Sequence, residues 1–268
     1  MMIFKRMIPV AIAFCCVVLV SPAYSQVTLP ALVRDSMILQ RDTKLKIWGW
    51  ATKGEKISIK FNGKTAKTTT GADGKWSVEL SPMKAGGPYT MEITGKNKIT
   101  LKDVLLGDVW FVSGQSNMVH QMKLHAVRYA KEVADANNPQ IRHFWIPTLT
   151  NLRGPQEDLP VGYWAPANPK DIGEFSVVAY FFATTIYEKY KIPIGLINAS
   201  VGGVPIESWI SEDGLKDFST YAATIQKLKD TGYVNSTNRA AFGGNRNRGP
   251  ARVNDKGLTG TKKWFDVS

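Results

Sequence analysis

The sequence predicts an α/β protein in two parts, a small β-sandwich followed by a layer built on a parallel sheet. Residues 26–105 alternate apolar with polar side chains at the two-residue period of half-buried strands. Residues 106–234 instead alternate continuous apolar runs with stretches at helical spacing, which is typical of a parallel sheet covered by helices. A length of 268 residues suits one large domain or two unequal ones.

The β-sandwich is predicted from short strands separated by tight turns. Asn62-Gly63 and Asp73-Gly74 are turn dipeptides that favour a positive φ, and Gly95-Lys96-Asn97 marks a further turn. Gly86-Gly87-Pro88 is expected to break the chain before the last of these strands. The predicted strands are 45–50, 57–61, 76–80 and 89–93. No cluster of reactive side chains stands out in this part, which we interpret as a packing or carbohydrate-facing accessory domain.

The second part is predicted to contain three buried strands and two helices. The strands are 109–112, 141–145 and 194–198, and the helices are 123–136 and 175–191. Ligand and active sites in such sheets form where the strands end. Two turns rich in glycine and serine follow the first and the third strand, so we expect the functional site there.

Composition limits the class of protein. The chain is 44% hydrophobic and 21% charged, which excludes a disordered, collagen-like or polytopic membrane protein. The formal net charge is +12, but residues 106–234 carry 11 basic and 13 acidic side chains, a net −2. Because the basic excess lies outside the predicted site, we interpret it as solvated surface and predict no nucleic-acid partner.

Residues 1–25 have the features of a secretory signal peptide. Two basic residues precede an apolar run over 7–20, and Ala23-Tyr24-Ser25 supplies a small-residue cleavage site. The run is shorter than the roughly 20 residues that span a bilayer. We therefore expect cleavage, export to the periplasm or outside the cell, and no stable membrane anchor; an uncleaved anchor is the alternative. Cleavage would also remove Cys15 and Cys16, the chain's two cysteines.

Ser116 is the first candidate catalytic residue. It lies on a turn between a buried strand and a predicted helix, and Gly114 permits the sharp bend. The second glycine of the G-x-S-x-G nucleophile elbow is missing, which disfavours the α/β-hydrolase fold. A serine that only caps the following helix is the alternative interpretation.

The turn Gly202-Gly203 is the second candidate feature. Glycines after a buried strand expose backbone N–H groups, which can stabilise an oxyanion as it develops. A tight strand–helix turn without a catalytic role is the alternative, and two such turns at neighbouring strand ends favour the catalytic interpretation.

Several segments together resemble the sialate O-acetylesterase family of the GDSL/SGNH hydrolases. The segment around Ser116 resembles the nucleophile block of that family, and the segment around Gly202 resembles its second block. Gln40-Arg41 and Ala85-Gly86-Gly87-Pro88-Tyr89 resemble parts of the preceding β-domain. The two main blocks are Leu106-Gly107-Asp108-Val109-Trp110-Phe111-Val112-Ser113-Gly114-Gln115-Ser116-Asn117-Met118 and Gly195-Leu196-Ile197-Asn198-Ala199-Ser200-Val201-Gly202-Gly203-Val204-Pro205-Ile206-Glu207-Ser208-Trp209.

The resemblance implies a carboxylic ester hydrolase with a serine nucleophile and no metal or organic cofactor. Ser116 would attack the ester carbonyl, and the N–H groups of Ser116, Gly202 and Gly203 would form part of the oxyanion hole. Supporting or pocket roles would fall to Gln115, Asn117 and Glu207. The implied substrate is an O-acetylated sugar such as sialic acid. Acetylated xylan is the alternative substrate, and a non-catalytic carbohydrate-binding remnant is the alternative from a different class.

The sequence departs from the family by lacking its third block and its D-x-x-H block, which would supply an oxyanion-hole Asn and the base. The three histidines are His120, His125 and His143, and none follows an aspartate at that spacing. We therefore expect an incomplete SGNH-type domain in 106–234 with weak or no activity, and His120 is the first candidate for a substitute base. Residues 235–268 are predicted to be a basic Gly/Asn/Arg-rich loop or the start of a β-rich insertion.

Two further expectations concern the surface. A sheet without its later strands would expose an apolar edge, so we predict poor solubility. Asn198 and Asn235 lie in glycosylation sequons, but a glycan on Asn198 would obstruct the predicted site.

Overall fold

The computed structural model describes residues 26–148, 155–159 and 161–233. The predicted signal peptide, the 235–268 segment and the sequon at Asn235 lie outside these residues. The described residues divide into two units, of which the first contains 26–147, 158, 159 and 161–201. The second contains 148, 155–157 and 202–233.

The first unit consists mainly of strands. In chain order they are β1 (Ile38–Gln40), β2 (Leu45–Trp50), β3 (Lys56–Phe61), β4 (Lys64–Thr69), β5 (Lys75–Leu80), β6 (Gly86–Thr94), β7 (Lys98–Val112), β8 (Asn138–Trp145), β9 (Trp164–Ala167) and β10 (Ile194–Asn198). Its α-helices are α1 (Ser116–Val119), α2 (Ala130–Ala134) and α3 (Val177–Tyr190), with 3-10 turns at Met122–His125 and Ile172–Glu174. The second unit contains the 3-10 turn Ile206–Trp209 and two helices, α4 (Glu212–Leu215) and α5 (Ser219–Lys229).

Eight of the described strands form one mixed sheet in the order β4-β3-β6-β7-β10-β8-β9, with β1 also paired to β7. The pairs within β4-β3-β6-β7 are antiparallel, whereas β10 runs parallel to both β7 and β8. The strands β2 and β5 form a separate antiparallel pair. The predicted α/β class with parallel strands is therefore confirmed.

The 15-residue strand β7 links the two predicted parts. Its first half pairs with β6, and its last five residues pair with β10. The boundary that the sequence predicts at residues 105 and 106 falls inside this strand. Leu105 and Leu106 are both buried there, although consecutive side chains point to opposite faces of a strand. Leu106 belongs to one apolar core and Val112 packs against another, so the strand contributes to two cores.

Two apolar cores stabilise the first unit. One lies between the β2-β5 pair and the large sheet, where Ile47, Ile59 and Ile93 are fully buried. The other lies between α3 and the parallel strands, around Phe175 and Leu196. Burying one such side chain contributes about 1.5–3 kcal/mol, so these cores supply the main stabilisation of a chain without disulfides in its described residues.

Several predicted elements are confirmed. The strands β2 and β10 have the predicted limits, and Asn62 and Gly63 form the β3–β4 hairpin turn with φ of 46° and 73°. Helix α3 ends in the predicted basic segment, because Lys191 adopts a left-handed conformation with φ of 55°.

One predicted helix and several predicted strand limits are wrong, since β7 and β8 begin at Lys98 and Asn138 rather than at 109 and 141. The helix predicted at 123–136 is instead the 3-10 turn Met122–His125, a set of turns and the short α2. Its apolar residues do not form a buried stripe, since Leu124 and Val127 are both exposed. Strand β6 begins at Gly86 rather than after Pro88, and its pairing with β7 shifts register between Gly86 and Met91.

Polar contacts join the sequence motifs that lie far apart in the chain. Arg41 forms two hydrogen bonds with the carboxylate of Asp108, at 2.8 and 3.3 Å, and the N–H of Val109 donates to Gln40 Oε1 at 2.8 Å. The ion pair raises the pKa of Arg41. These contacts lie at the amino-terminal end of the parallel layer, so the motif residues Gln40, Arg41 and Asp108 have a structural role.

Candidate active site

The carboxyl ends of the three parallel strands lie side by side. Asn198 at the end of β10 is the register partner of Val112 in β7 and of Trp145 in β8. The loops that follow these strands therefore leave the sheet at one edge, as the sequence predicts. Hydrogen bonds connect them, because Ala199 N–H donates to Val112 O at 2.9 Å and Ile146 N–H donates to Asn198 O at 2.8 Å.

The turn after β7 exposes Ser116 at the start of α1. Gly114 has a φ of 134°, which L side chains rarely adopt, and Gln115 is extended. The N–H groups of Met118 and Val119 both donate to Gln115 O, at 2.9 and 3.0 Å.

The N–H groups of Ser116 and Asn117 have no hydrogen-bond acceptor among the described residues, as is usual in the first turn of a helix. Ser116 is exposed, and its hydroxyl has no hydrogen-bond partner within the described ranges. A hydroxyl beside free N–H donors can attack an ester whose oxyanion those donors stabilise.

The segment after Ser116 is fixed by the beginning of α3. Val177 N–H donates to His120 O, and Met122 N–H donates to Phe175 O, each at 2.9 Å. The buried Ser176 caps α3 by accepting a hydrogen bond from Ala179 N–H at 3.3 Å, and its hydroxyl donates to Met118 Sδ at 3.4 Å. The turn is therefore supported by the core rather than only by its own short helix.

The other side of the turn is fixed by the chain that follows β10. Val201 N–H donates to Gly114 O at 3.0 Å, two residues before Ser116. This contact places Ser200 and Val201 beside the nucleophile turn.

Beneath this contact lies a buried polar cluster of His143, Asn198 and Ser200. Asn198 Oδ1 accepts hydrogen bonds from Ser200 N–H at 2.9 Å and from Ser200 Oγ at 2.6 Å, and Asn198 Nδ2 lies 3.3 Å from His143 Nε2. Burial lowers the pKa of His143 to about 3. The role of this cluster was not predicted from the sequence. Polar residues within otherwise apolar strands were the available signal.

Because Asn198 is fully buried, the folded protein does not offer its sequon for glycosylation.

The second candidate turn and Glu207 lie in the other unit. Gly203 is exposed with a φ of 76°, and an added Cβ would meet no atom within 4 Å. Glu207 Oε1 accepts a hydrogen bond from Tyr221 Oη at 2.5 Å, which lowers the pKa of Glu207 and raises that of Tyr221. Glu207 thus connects its 3-10 turn to α5 within that unit.

None of the three histidines is hydrogen-bonded to Ser116 in the described part of the chain. His120 Nδ1 lies 2.9 Å from His125 Nε2, and the two rings stack with centroids 5.1 Å apart. His143 is engaged with Asn198 and stacks on Phe175 at 4.8 Å. The structure therefore brings Ser116, Gln115 and Asn117 together in one turn without a hydrogen-bonded base.

Within residues 26–148, 155–159 and 161–233, no group of three or more His, Cys, Asp or Glu side chains could hold a metal ion. No helix in these ranges has both the length and the apolar character needed to cross a bilayer.

Comparisons with known proteins agree on one family. The family described as carbohydrate esterase, sialic acid-specific acetylesterase, matches residues 106–240. The sialate O-acetylesterase of Rattus norvegicus is 33% identical over 205 residues, which cover 69% of this chain and 37% of that protein. The human sialate O-acetylesterase is 31% identical over 205 residues, covering 69% of this chain and 39% of that one.

A solved structure is similar as well. The crystal structure of a carbohydrate acetylesterase from Xanthomonas citri has 38% sequence identity and a TM-score of 0.69, and the match covers 71% of this chain and 44% of that one. The chain spans less than half the length of each of these relatives.

Proposed function

Because this chain belongs to the sialic acid-specific acetylesterase family of carbohydrate esterases, we propose that it removes O-acetyl groups from sialic acid or a related acetylated sugar, with Ser116 as the nucleophile. The main support for this proposal is the exposed hydroxyl of Ser116. It lies beside the N–H groups of Ser116 and Asn117, which have no hydrogen-bond acceptor in the described residues. We further propose that the protein is exported and acts on its substrate outside the cytoplasm.

The proposed reaction has two steps. Ser116 Oγ loses its proton and bonds to the acetyl carbonyl carbon, the ester bond to the sugar oxygen breaks, and the sugar leaves as an alcohol after taking up a proton. Water then attacks the acetyl-serine, releases acetate and restores the hydroxyl. The N–H of Ser116 stabilises the oxyanion in both steps.

The first step needs a base for the Ser116 proton. A serine without a base is a weak nucleophile, and no histidine within the described ranges is hydrogen-bonded to Ser116. We therefore expect slow turnover from this chain by itself. Residual catalysis from an oxyanion hole without a complete triad can still exceed the reaction in water by about 10³-fold.

The test is hydrolysis of 4-nitrophenyl acetate by the full chain, compared with Ser116→Ala. Ser113→Ala is the matched control, because Ser113 is an exposed serine on the same turn. We expect Ser116→Ala to abolish the turnover above background and Ser113→Ala to retain it. Equal rates for all three proteins would contradict the proposal for this chain.

The substrate is tested separately by acetate release. O-acetylated sialic acid and acetylated xylan are compared at equal ester concentration, and Ser116-dependent release from the sialic acid alone is the expected result. Preferential release from xylan would favour the alternative substrate. Sugar binding without any acetate release would favour a carbohydrate-binding remnant.

A further inference from the structure

We infer that His143 and Asn198 are positioning residues that hold the Ser116 turn through Ser200 and Val201. This inference rests on the proposed function, since it assigns a role in placing the nucleophile of that same site. Neither side chain is hydrogen-bonded to Ser116 in the described chain, so they would act through the backbone that follows β10.

The hydrogen bonds of Asn198 determine the orientation of its side-chain amide. Its Oδ1 accepts from both the N–H and the hydroxyl of Ser200, at 2.9 and 2.6 Å, so Nδ2 must face His143. An amide nitrogen only donates hydrogen bonds. His143 Nε2, at 3.3 Å, is therefore the acceptor, and the proton of the neutral ring lies on Nδ1.

The imidazole of His143 is itself fixed by its surroundings. The side chain is 2% exposed, and its ring stacks on Phe175 with centroids 4.8 Å apart and an interplanar angle of 27°. Phe175 O accepts the hydrogen bond from Met122 N–H. The next residue, Ser176, contacts Met118 in α1. The stacked pair thus lies between the two segments that support the nucleophile turn.

Beyond β10 the path of the chain depends on Asn198. The ladder with β7 ends at Asn198, and Ala199 N–H still bonds to Val112 O. After Ala199, the bonds from Asn198 Oδ1 fix Ser200, and Ser200 leads directly to the Val201 N–H that bonds to Gly114 O. A change at His143 or Asn198 should therefore move Ser200 and Val201 without opening the strand.

The test uses two substitutions of His143 in the full chain. His143→Leu removes the acceptor for Asn198 Nδ2, whereas His143→Gln can supply the Oε1 atom as a new acceptor. Amide hydrogen exchange is measured at Val201, with Leu196 in the middle of β10 as the internal reference. We expect His143→Leu to speed exchange at Val201 about tenfold or more while Leu196 changes little, and His143→Gln to restore most of the protection.

Wild-type exchange at Val201 in His143→Leu would overturn the inference. If His143→Leu does not fold, the imidazole ¹⁵N spectrum of the wild-type chain decides instead. A neutral ring with its proton on Nδ1 is expected, and in Asn198→Asp, where the new carboxylate accepts instead of donating, the ring should carry a proton on Nε2. A proton on Nε2 in the wild type would overturn the inference.

The effect on catalysis is measured by determining kcat and KM separately. Misplacing a reacting group by about 1 Å can cost about a hundredfold in rate, so His143→Leu should lower the Ser116-dependent kcat at least about tenfold with KM nearly unchanged. His143→Gln should recover most of it. Faster exchange at Val201 with an unchanged kcat would overturn the positioning role. Turnover that does not depend on Ser116 would instead contradict the proposed function, and the exchange measurement would still decide the hydrogen-bond network.

Discussion

His143 lies where the fold does not accommodate a charge. Its hydrogen-bond and ring contacts in the described chain are Asn198, Trp145 and Phe175, all uncharged, and burial lowers its pKa from the ordinary 6.5 to about 3. The unfolded chain therefore binds a proton at this residue more readily than the folded chain does. The stability that follows is fully present above pH 6.5 and is lost as the pH falls from 6.5 toward 3.

We predict a loss of stability in mild acid that depends on this residue. At pH 5 His143 should lower the free energy of unfolding by about 2 kcal/mol, because each pH unit between 6.5 and 5 costs about 1.4 kcal/mol. Urea unfolding at pH 8 and pH 5 measures it, and His143→Gln should lack this part of the change. His120→Gln is the control because His120 is exposed. Equal acid sensitivity of wild type and His143→Gln would contradict the prediction.

Gly107 is a residue that close packing requires. An added Cβ would overlap Pro193 O, the same oxygen that accepts a hydrogen bond from Asp108 N–H at 2.8 Å. Neither backbone can move away without breaking that bond.

We expect Gly107→Ala to lower the free energy of unfolding by about 2 kcal/mol or more, as overpacking does. Gly173→Ala is the matched control, since its nearest neighbour would be Lys123 Cβ at 3.6 Å, an ordinary contact. Chemical denaturation compares the two variants, and equal effects would show that the contact at Pro193 relaxes.

At the scale of elements, a buried arginine connects β8 to the first half of β7. Arg142 is 1% exposed and donates to the carbonyl oxygens of Pro139, Ser36 and Asp103, and to the Asp103 carboxylate at 2.8 Å. Burial lowers the pKa of Arg142, while the hydrogen bond to Asp103 opposes that shift.

Replacing Arg142 should therefore destabilise both β8 and the first half of β7. We predict that Arg142→Met lowers the free energy of unfolding by about 3 kcal/mol, because the buried carbonyl groups lose their donors. Asp103→Asn should cost less than about 1 kcal/mol, since the Asp103 side chain is 50% exposed and an amide oxygen can still accept. A loss of equal size in both variants, measured by urea unfolding, would assign the effect to the ion pair instead of the carbonyl contacts.

At the scale of the whole molecule, the last residues of β7 form an open strand edge. Val109 N–H points away from β10 toward Gln40, so by the alternation of a strand the backbone groups of Phe111 point to the same side. No strand of the described chain pairs with that side beyond Gly107. The side chains of Trp110 and Phe111 in this segment are 43% and 66% exposed.

We predict concentration-dependent self-association through this edge. Phe111→Lys should reduce it, because a charged side chain on an edge strand disfavours pairing with another strand. Val127→Lys is the control, since Val127 is 97% exposed and lies outside the strands. Sedimentation velocity over a concentration series measures the effect. A monomeric wild type, or the same change in both variants, would contradict the prediction.

Local patterns in the sequence were sufficient for many elements. Period-two alternation identified β2 and β3, the Asn62-Gly63 dipeptide identified the β3–β4 hairpin turn, and the apolar run 194–198 identified β10. The helix at 123–136 could not be predicted correctly from spacing alone, because burial decides whether such a segment forms one helix. Here Met122 and Ala136 are buried while most of the residues between them are not.

The sequence by itself determined the α/β class, the family and the turn that carries Ser116, because these depend on short-range patterns and on motifs of adjacent residues. Only the tertiary structure showed that β7 serves both cores and that His143 meets Asn198, which is 55 residues away in the chain. The physical reason is that strand pairing and the burial of polar groups are satisfied between distant segments. A buried amide needs hydrogen-bond partners, and these partners come from segments that are distant in the chain. Local sequence patterns therefore do not identify them.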